Sequence, residues 1–143
     1  MQELLRKGLI RQASPEKGDI ENLIKIAEQD ILVAEKLLDT SYDASFTHSY
    51  NAILQVSRAY MFANGYRPRE ESHTVVIQFL SAVFGEEYSE MIALFDRMRR
   101  QRNKVTYEMT NIITKYQAEY ALGKAKEFKK QMKDRIDAKL NKR

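Results

Sequence analysis

Apolar residues return at three- and four-residue intervals along most of the chain, the spacing that lays a stripe down one side of an α-helix. Period-two alternation, the mark of strands, is scarce. The clearest stripe joins Ile20, Leu23, Ile24, Ala27, Ile31, Ala34 and Leu38, with Lys25, Glu28, Glu35 and Lys36 largely off it and Asp19 as the expected N-cap. Before it, residues 2 to 12 read as a short helix that Ser14-Pro15 interrupts. Thr40-Ser41-Tyr42-Asp43 offers capping side chains to a long helix carrying Phe46, Tyr50, Ile53, Leu54, Tyr60 and Met61, with Asn64-Gly65 as a left-handed terminator. Past Pro68, Glu70-Glu71-Ser72 opens a fourth helix holding Val75, Val76, Phe79, Leu80 and Val83 and stopping near Gly85. A fifth is expected from about Glu87 to Val105, burying Met91, Leu94, Phe95 and Met98. Thr114 and Gln117 have capping-box spacing, and the last stripe follows as Tyr120, Ala121, Ala125, Phe128, Met132, Ile136 and Leu140. Tyr116 and Tyr120 share the four-residue spacing of Phe128 and Met132 and are assigned to the core with them.

Short links between amphipathic helices make successive ones antiparallel neighbours, so the expected fold is all α, an up-and-down bundle of four to five helices. One domain spans 1–143, with 1–17 as N-terminal helix and linker and 18–143 as the bundle ending in a basic helix. A chain of 143 residues can bury a core without staples. It has no Cys, which excludes disulfides and thiolate metal sites and suits a reducing cytoplasm. The charged start of the chain does not read as a signal peptide, and no apolar run approaches the roughly 18 residues of a membrane span. A cytoplasmic protein with no membrane partner is expected.

The net charge of +4 is unevenly placed, since residues 124–143 alone carry +6 and the remainder −2. A Lys-rich terminal helix has two readings, an anionic partner or a solvated face, and the second is the commoner. A denser anomaly lies in Arg97-Met98-Arg99-Arg100-Gln101-Arg102-Asn103-Lys104-Val105-Thr106-Tyr107-Glu108, where five cations occur with no acid between Asp96 and Glu108. On a helix, Arg99, Arg102 and Asn103 fall on one side, and Arg100, Lys104 and Tyr107 form the adjacent row. Guanidinium groups gathered this way can grip phosphate bidentately and stabilise charge that develops during phosphoryl transfer. The macrodipole alone favours cations near a helix C-terminus, but it gives no reason for Asn103 and Tyr107 beside them.

Arg102-Asn103-Lys104-Val105-Thr106-Tyr107 resembles the Arg-Asn-x-x-x-His signature of HEPN domains. The order Ser49-Tyr50-Asn51-Ala52-Ile53-Leu54, Arg58-Ala59-Tyr60, Asn64-Gly65-Tyr66-Arg67-Pro68 and Ser72-His73-Thr74-Val75-Val76 is similar to one prokaryotic branch of that family, over roughly residues 19 to 135. The resemblance implies a bundle that forms a homodimer through its motif helices, often encoded beside a small nucleotidyltransferase in toxin-antitoxin or defence systems. It also implies that many relatives are metal-independent RNases in which the motif arginine and histidine of both subunits meet across the dimer cleft. Arg102 then matches the motif arginine, Asn103 the polar residue beside it, and Tyr107 stands in the place of the histidine.

A phenol titrates near pH 10 and is a poor base at neutrality, whereas it still donates a hydrogen bond to phosphate or stacks on a base. Arg100 to Tyr107 gives a longer version of the motif, again without imidazole. His73, in the first turn of the fourth helix, is the candidate to supply one, although the helix dipole there disfavours imidazolium. His48, between Phe46 and Tyr50, reads as a partly buried structural histidine. Two lone histidines make no metal site, and neither HExxH, a Gly-rich phosphate loop nor a nucleophile elbow is present, so neither metal nor cofactor is expected. The expectation is a dimeric module that binds RNA or a nucleotide through Arg99, Arg100, Arg102, Asn103 and Lys104, or partners a nucleotidyltransferase. Arg102, Tyr107 and His73 are its catalytic candidates if it is an RNase, and a helical interaction protein is the remaining alternative.

Overall fold

The computed structural model describes residues 1–107 and 111–141 of the chain, the side chain of Tyr107 excepted. Six helices and a two-stranded ribbon follow in the order α1 (Gln2–Arg6), β1 (Ile10–Gln12), α2 (Lys17–Leu37), α3 (Tyr42–Ala63), β2 (Tyr66–Pro68), α4 (His73–Phe84), α5 (Ser89–Tyr107) and α6 (Lys115–Leu140). The fold is all α in class, as the apolar periodicity predicts.

Local chemistry sets most boundaries. Ser41 accepts from Ala44 N at 3.1 Å and Ser72 from Val75 N at 3.3 Å, so each satisfies an amide that its helix leaves orphaned. At α6 the reciprocal box forms, with Gln117 N donating to Thr114 Oγ1 at 3.1 Å and Thr114 N to Gln117 Oε1 at 2.9 Å. Gly65 (φ 89°) and Gly85 (φ 59°) end α3 and α4 in left-handed backbone that a side chain would oppose.

Helix α3 is the central element. Its residues Phe46, Tyr50, Ile53, Val56, Ala59 and Met61 are buried on several sides, because α2 and α6 cover one flank while α4 and α5 cover another. Fully buried Phe79, Phe95, Phe128 and Met132 close the core from α4, α5 and α6. Asp43, in the first turn of α3, accepts from Ile113 N at 3.0 Å and Asn111 N at 2.5 Å, fixing the entry to α6 against α3.

Four expectations need correction. The N-terminal helix stops at Arg6 rather than reaching residue 12, because Ile10–Gln12 pairs antiparallel with Tyr66–Pro68, in the register Ile10↔Pro68, Arg11↔Arg67, Gln12↔Tyr66. Helix α2 is capped at Glu16, not Asp19, which lies in its first turn and instead faces Arg67 at 3.4 Å. Helix α5 starts at Ser89, so Glu87 precedes it and meets Arg135 at 2.8 Å. Tyr116 and Tyr120 are exposed rather than core, their rings stacked on one another at 6.0 Å, because the buried stripe of α6 runs through Ala118, Ala121, Leu122 and Ala125 instead.

Candidate functional site: an imidazole among arginines

Three helices bring side chains together at one end of the α3–α4–α5 layer. The Ser72 cap makes His73 the first residue of α4, and the ring turns back towards α3, where Tyr50 Oη lies 2.8 Å from His73 Nδ1. Tyr50 has no solvent exposure and is held from the α5 side by Phe95, ring centroids 5.6 Å apart. Two turns further along α3, Arg58 is held by Glu71 and Gln55. From α5, the Arg102 guanidinium carbon lies 6.0 Å from the Tyr50 ring centroid, and Arg99 meets Asp96 at 3.0 Å.

Burial pushes the Tyr50 phenol up to about 12, so it remains protonated. His73 is held below the ordinary histidine range, first by burial and then by the cations Arg58 and Arg102, with Arg99 adding and Glu71 opposing. The imidazole is therefore neutral at physiological pH. A buried phenol proton needs an acceptor, and among the described residues His73 Nδ1 is the one within reach. Tyr50 Oη–H thus donates to Nδ1, which leaves the imidazole proton on Nε2, the nitrogen turned from Tyr50.

The arginines differ in how they are neutralised. Arg58 has Glu71, while Arg99 and Arg100 share Asp96. Arg102 has no carboxylate among the described residues; it donates weakly to Asn103 Oδ1 at 3.3 Å, and its Nε is buried without a partner. A buried, unsatisfied guanidinium N–H is costly, and an anion supplying an oxygen removes the cost.

Of the residues expected from sequence, His73, Arg99, Arg102 and Asn103 come together here. Arg100 is 61% exposed and Lys104 is exposed as well. The Tyr107 side chain falls outside the described residues. Tyr50 and Arg58 were not singled out: a tyrosine at a core position reads as core, and their separation from α5 in sequence hides the contact. The signal was Ser49-Tyr50 with Arg58 one helical face apart, already part of the resembling order. His48 stands apart, paired with Asp30 of α2 at 3.0 Å. Among the described residues no three His, Asp or Glu side chains gather as metal ligands, and no helix is long and apolar enough to cross a membrane.

A helical domain that arranges guanidinium groups around a neutral imidazole belongs to the class able to grip a phosphate and hand it a proton. The HEPN domain family model matches residues 20–135, most of the chain, and spans every residue of this cluster. The protein belongs to the HEPN family, whose domains are all-helical, generally bind or cleave RNA, often act in toxin or defence systems, and commonly dimerise. A search of curated proteins finds no match.

Proposed function

We propose that this HEPN domain is an RNA-binding module whose site is the cluster of Arg102, Arg99, Arg58, His73 and Tyr50, acting as a homodimer paired through α5. The observation that carries the reading is Arg102, a half-buried cation that among the described residues has no carboxylate and has an unsatisfied Nε, beside a neutral imidazole. Its planar fork suits the non-bridging oxygens of a phosphodiester, and Asn103 and the Nε2–H of His73 add neutral donors. Arg100 and Lys104, on the exposed side of α5, extend the positive field along the strand. A small nucleotidyltransferase encoded nearby is the protein partner that fits the family resemblance.

A second reading, a metal-independent RNase, is favoured by the state of His73. In that chemistry the ribose 2′-oxygen bonds to the adjacent phosphorus and the 5′-oxygen leaves. His73 Nε2–H gives its proton to that leaving oxygen while Arg102 stabilises the charge on the phosphoryl oxygens. The 2′-hydroxyl proton then needs a base other than His73, and Tyr107 is the weak candidate, which makes slow turnover the expected outcome.

Titrating fluorescent single-stranded RNA with wild type and Arg102→Ala, in EDTA, tests both. The variant should keep its helical content and lose affinity by at least about tenfold, the worth of one charge-assisted hydrogen bond. Undiminished binding removes the site. Cleavage that needs Arg102 and ignores chelator establishes the second reading, and RNA left intact removes it.

A further inference from the structure

We propose that the cavity between the β1–β2 ribbon, α2 and α3 is a second phosphate-binding subsite, taking the backbone of the RNA strand that flanks the Arg102–His73 site. The cavity measures about 460 Å³ and is lined by Arg11, Arg58, Arg67 and Arg69 against the carboxylates of Asp19 and Glu71. Four guanidinium groups meet there, two more than the acids can neutralise.

The ribbon itself carries the independent clue. Arg11 and Arg67 stand directly opposite one another in its ladder, and both line the cavity. Like charges at directly opposed positions destabilise a strand pair. Asp19 relieves Arg67 alone, from 3.4 Å and largely in solvent, while among the described residues Arg11 and Arg69 have no carboxylate. The pairing is imposed by other forces: Ile10 is 1% exposed, Ala13 N donates to Gly65 O, and Arg69 N donates to Leu9 O, each at 2.9 Å. Repulsion between guanidiniums is therefore built into the ribbon, and a polyanion relieves it. Arg67 also lies over the Phe62 ring, 3.7 Å from guanidinium carbon to ring centroid, a contact that restrains its fork before any ligand arrives.

Continuity with the first site comes through Arg58. It lines this cavity and is also the cation that weighs most on His73, while its partner Glu71 borders both. A strand with one phosphate at Arg102 can run past Arg58 to place following phosphates between Arg11 and Arg67. The inference rests on the RNA-binding reading of the Arg102 site, and it adds length dependence: the ribbon is engaged by a strand and not by a dinucleotide.

The test compares wild type with Arg11→Gln/Arg67→Gln, using single-stranded RNA of about twelve nucleotides, a span within the range of single-strand sites, and a dinucleotide. Replacing opposed arginines removes their repulsion together with the Asp19 and Phe62 contacts of Arg67, so the melting temperature should hold within a few degrees; Arg69→Gln, outside the ladder, leaves those contacts in place and should likewise weaken only the long strand. The double variant should lose at least about tenfold in affinity for the long strand and keep its dinucleotide affinity. The slope of log affinity against log salt should become shallower by about 1.4, two single-strand phosphate contacts. Unchanged long-strand affinity and slope overturn the subsite. If wild type binds no RNA at all, the Arg102 reading fails first, and pyrophosphate decides the remainder. Pyrophosphate binding that the double variant loses keeps a phosphate site with a free nucleotide as its source, whereas no pyrophosphate binding overturns it.

Discussion

Two regions of this molecule are strongly basic, and they use their cations in opposite ways. Helix α6 carries most of the positive excess, yet several of its cations are met from outside the helix or along it: Lys126 reaches Glu35 at 2.8 Å, Lys129 reaches Glu28 at 3.5 Å, Arg135 reaches Glu87, and Lys124 has Glu127, while among the described residues Lys130, Lys133 and Lys139 are left without a carboxylate. Those pairs tie α6 to α2 and to the start of α5. The α3–α4–α5 cluster is smaller, but among the described residues Arg102 there is left without an acid, and an imidazole is kept neutral at its side. Total charge is thus a poor guide to where an anion binds. What counts is whether the fold has already supplied the counter-charge.

The sharpest way to break this contrast is to remove charge from the cluster. Arg99→Gln/Arg102→Gln should lower RNA affinity by about a hundredfold, two charge-assisted contacts at roughly 1.5 kcal/mol or slightly less each. The circular dichroism spectrum should be unaltered, since neither side chain is part of the core. A loss under about threefold, measured by fluorescence anisotropy, would put the anion site elsewhere.

The next effect concerns the Tyr50–His73 pair. Tyr50→Phe keeps the ring against Phe95 and deletes the hydroxyl, leaving Nδ1 unsatisfied at a cost of about 1 kcal/mol in stability. Because the lost hydrogen bond favours the neutral imidazole, the His73 titration should move upward in the variant, which NMR of the ring protons reads directly. The same depressed ionisation makes stability pH-dependent. The unfolded chain takes its proton near the ordinary value of 6.5, above the folded one, so His73 lowers stability as pH falls through that range and the loss levels off below its folded value. His73→Gln should flatten this component of the melting temperature as pH falls below about 7.5. An unchanged slope would mean that the imidazole is not shielded as described.

The sequence made the scaffold legible where a repeating signal exists. Helices α2 to α6 each carry a 3.6-residue stripe over at least three turns, and Ser72, Thr114 and Gly85 mark ends through chemistry that acts within a few residues. The ribbon was hidden because three residues are too few to display alternation and the partner strand lies in another part of the chain. Tyr116 and Tyr120 were misread for a related reason: four-residue spacing fixes a shared face but not which face is buried, and the small Ala118, Ala121 and Ala125 are what let α6 approach α3. At the site, Arg99, Arg102 and His73 were visible as chemistry, whereas Tyr50 and Arg58 acquire their role only when α3 is laid against α4 and α5. Neutralisation was legible only where it is local, as for Arg99 and Arg100 with Asp96 or Lys124 with Glu127; Glu28, Glu35 and Glu87 are remote in sequence from the cations they meet.

The smallest effect is expected in α6, and it tests the comparison from its other side. Lys126→Gln/Lys129→Gln removes two cations from the most charged helix and frees Glu28 and Glu35. Both pairs lie at the surface and are partly open to solvent, and pairs of that kind contribute about 0–1 kcal/mol, so the change in stability should be small and should shrink further in high salt. RNA affinity should stay within about threefold of wild type, with the same salt slope, because lysines already paired within the fold displace no counterions from the RNA. If this double variant instead loses tenfold or more, α6 contributes to the RNA surface, and pairing within the fold does not silence a basic helix.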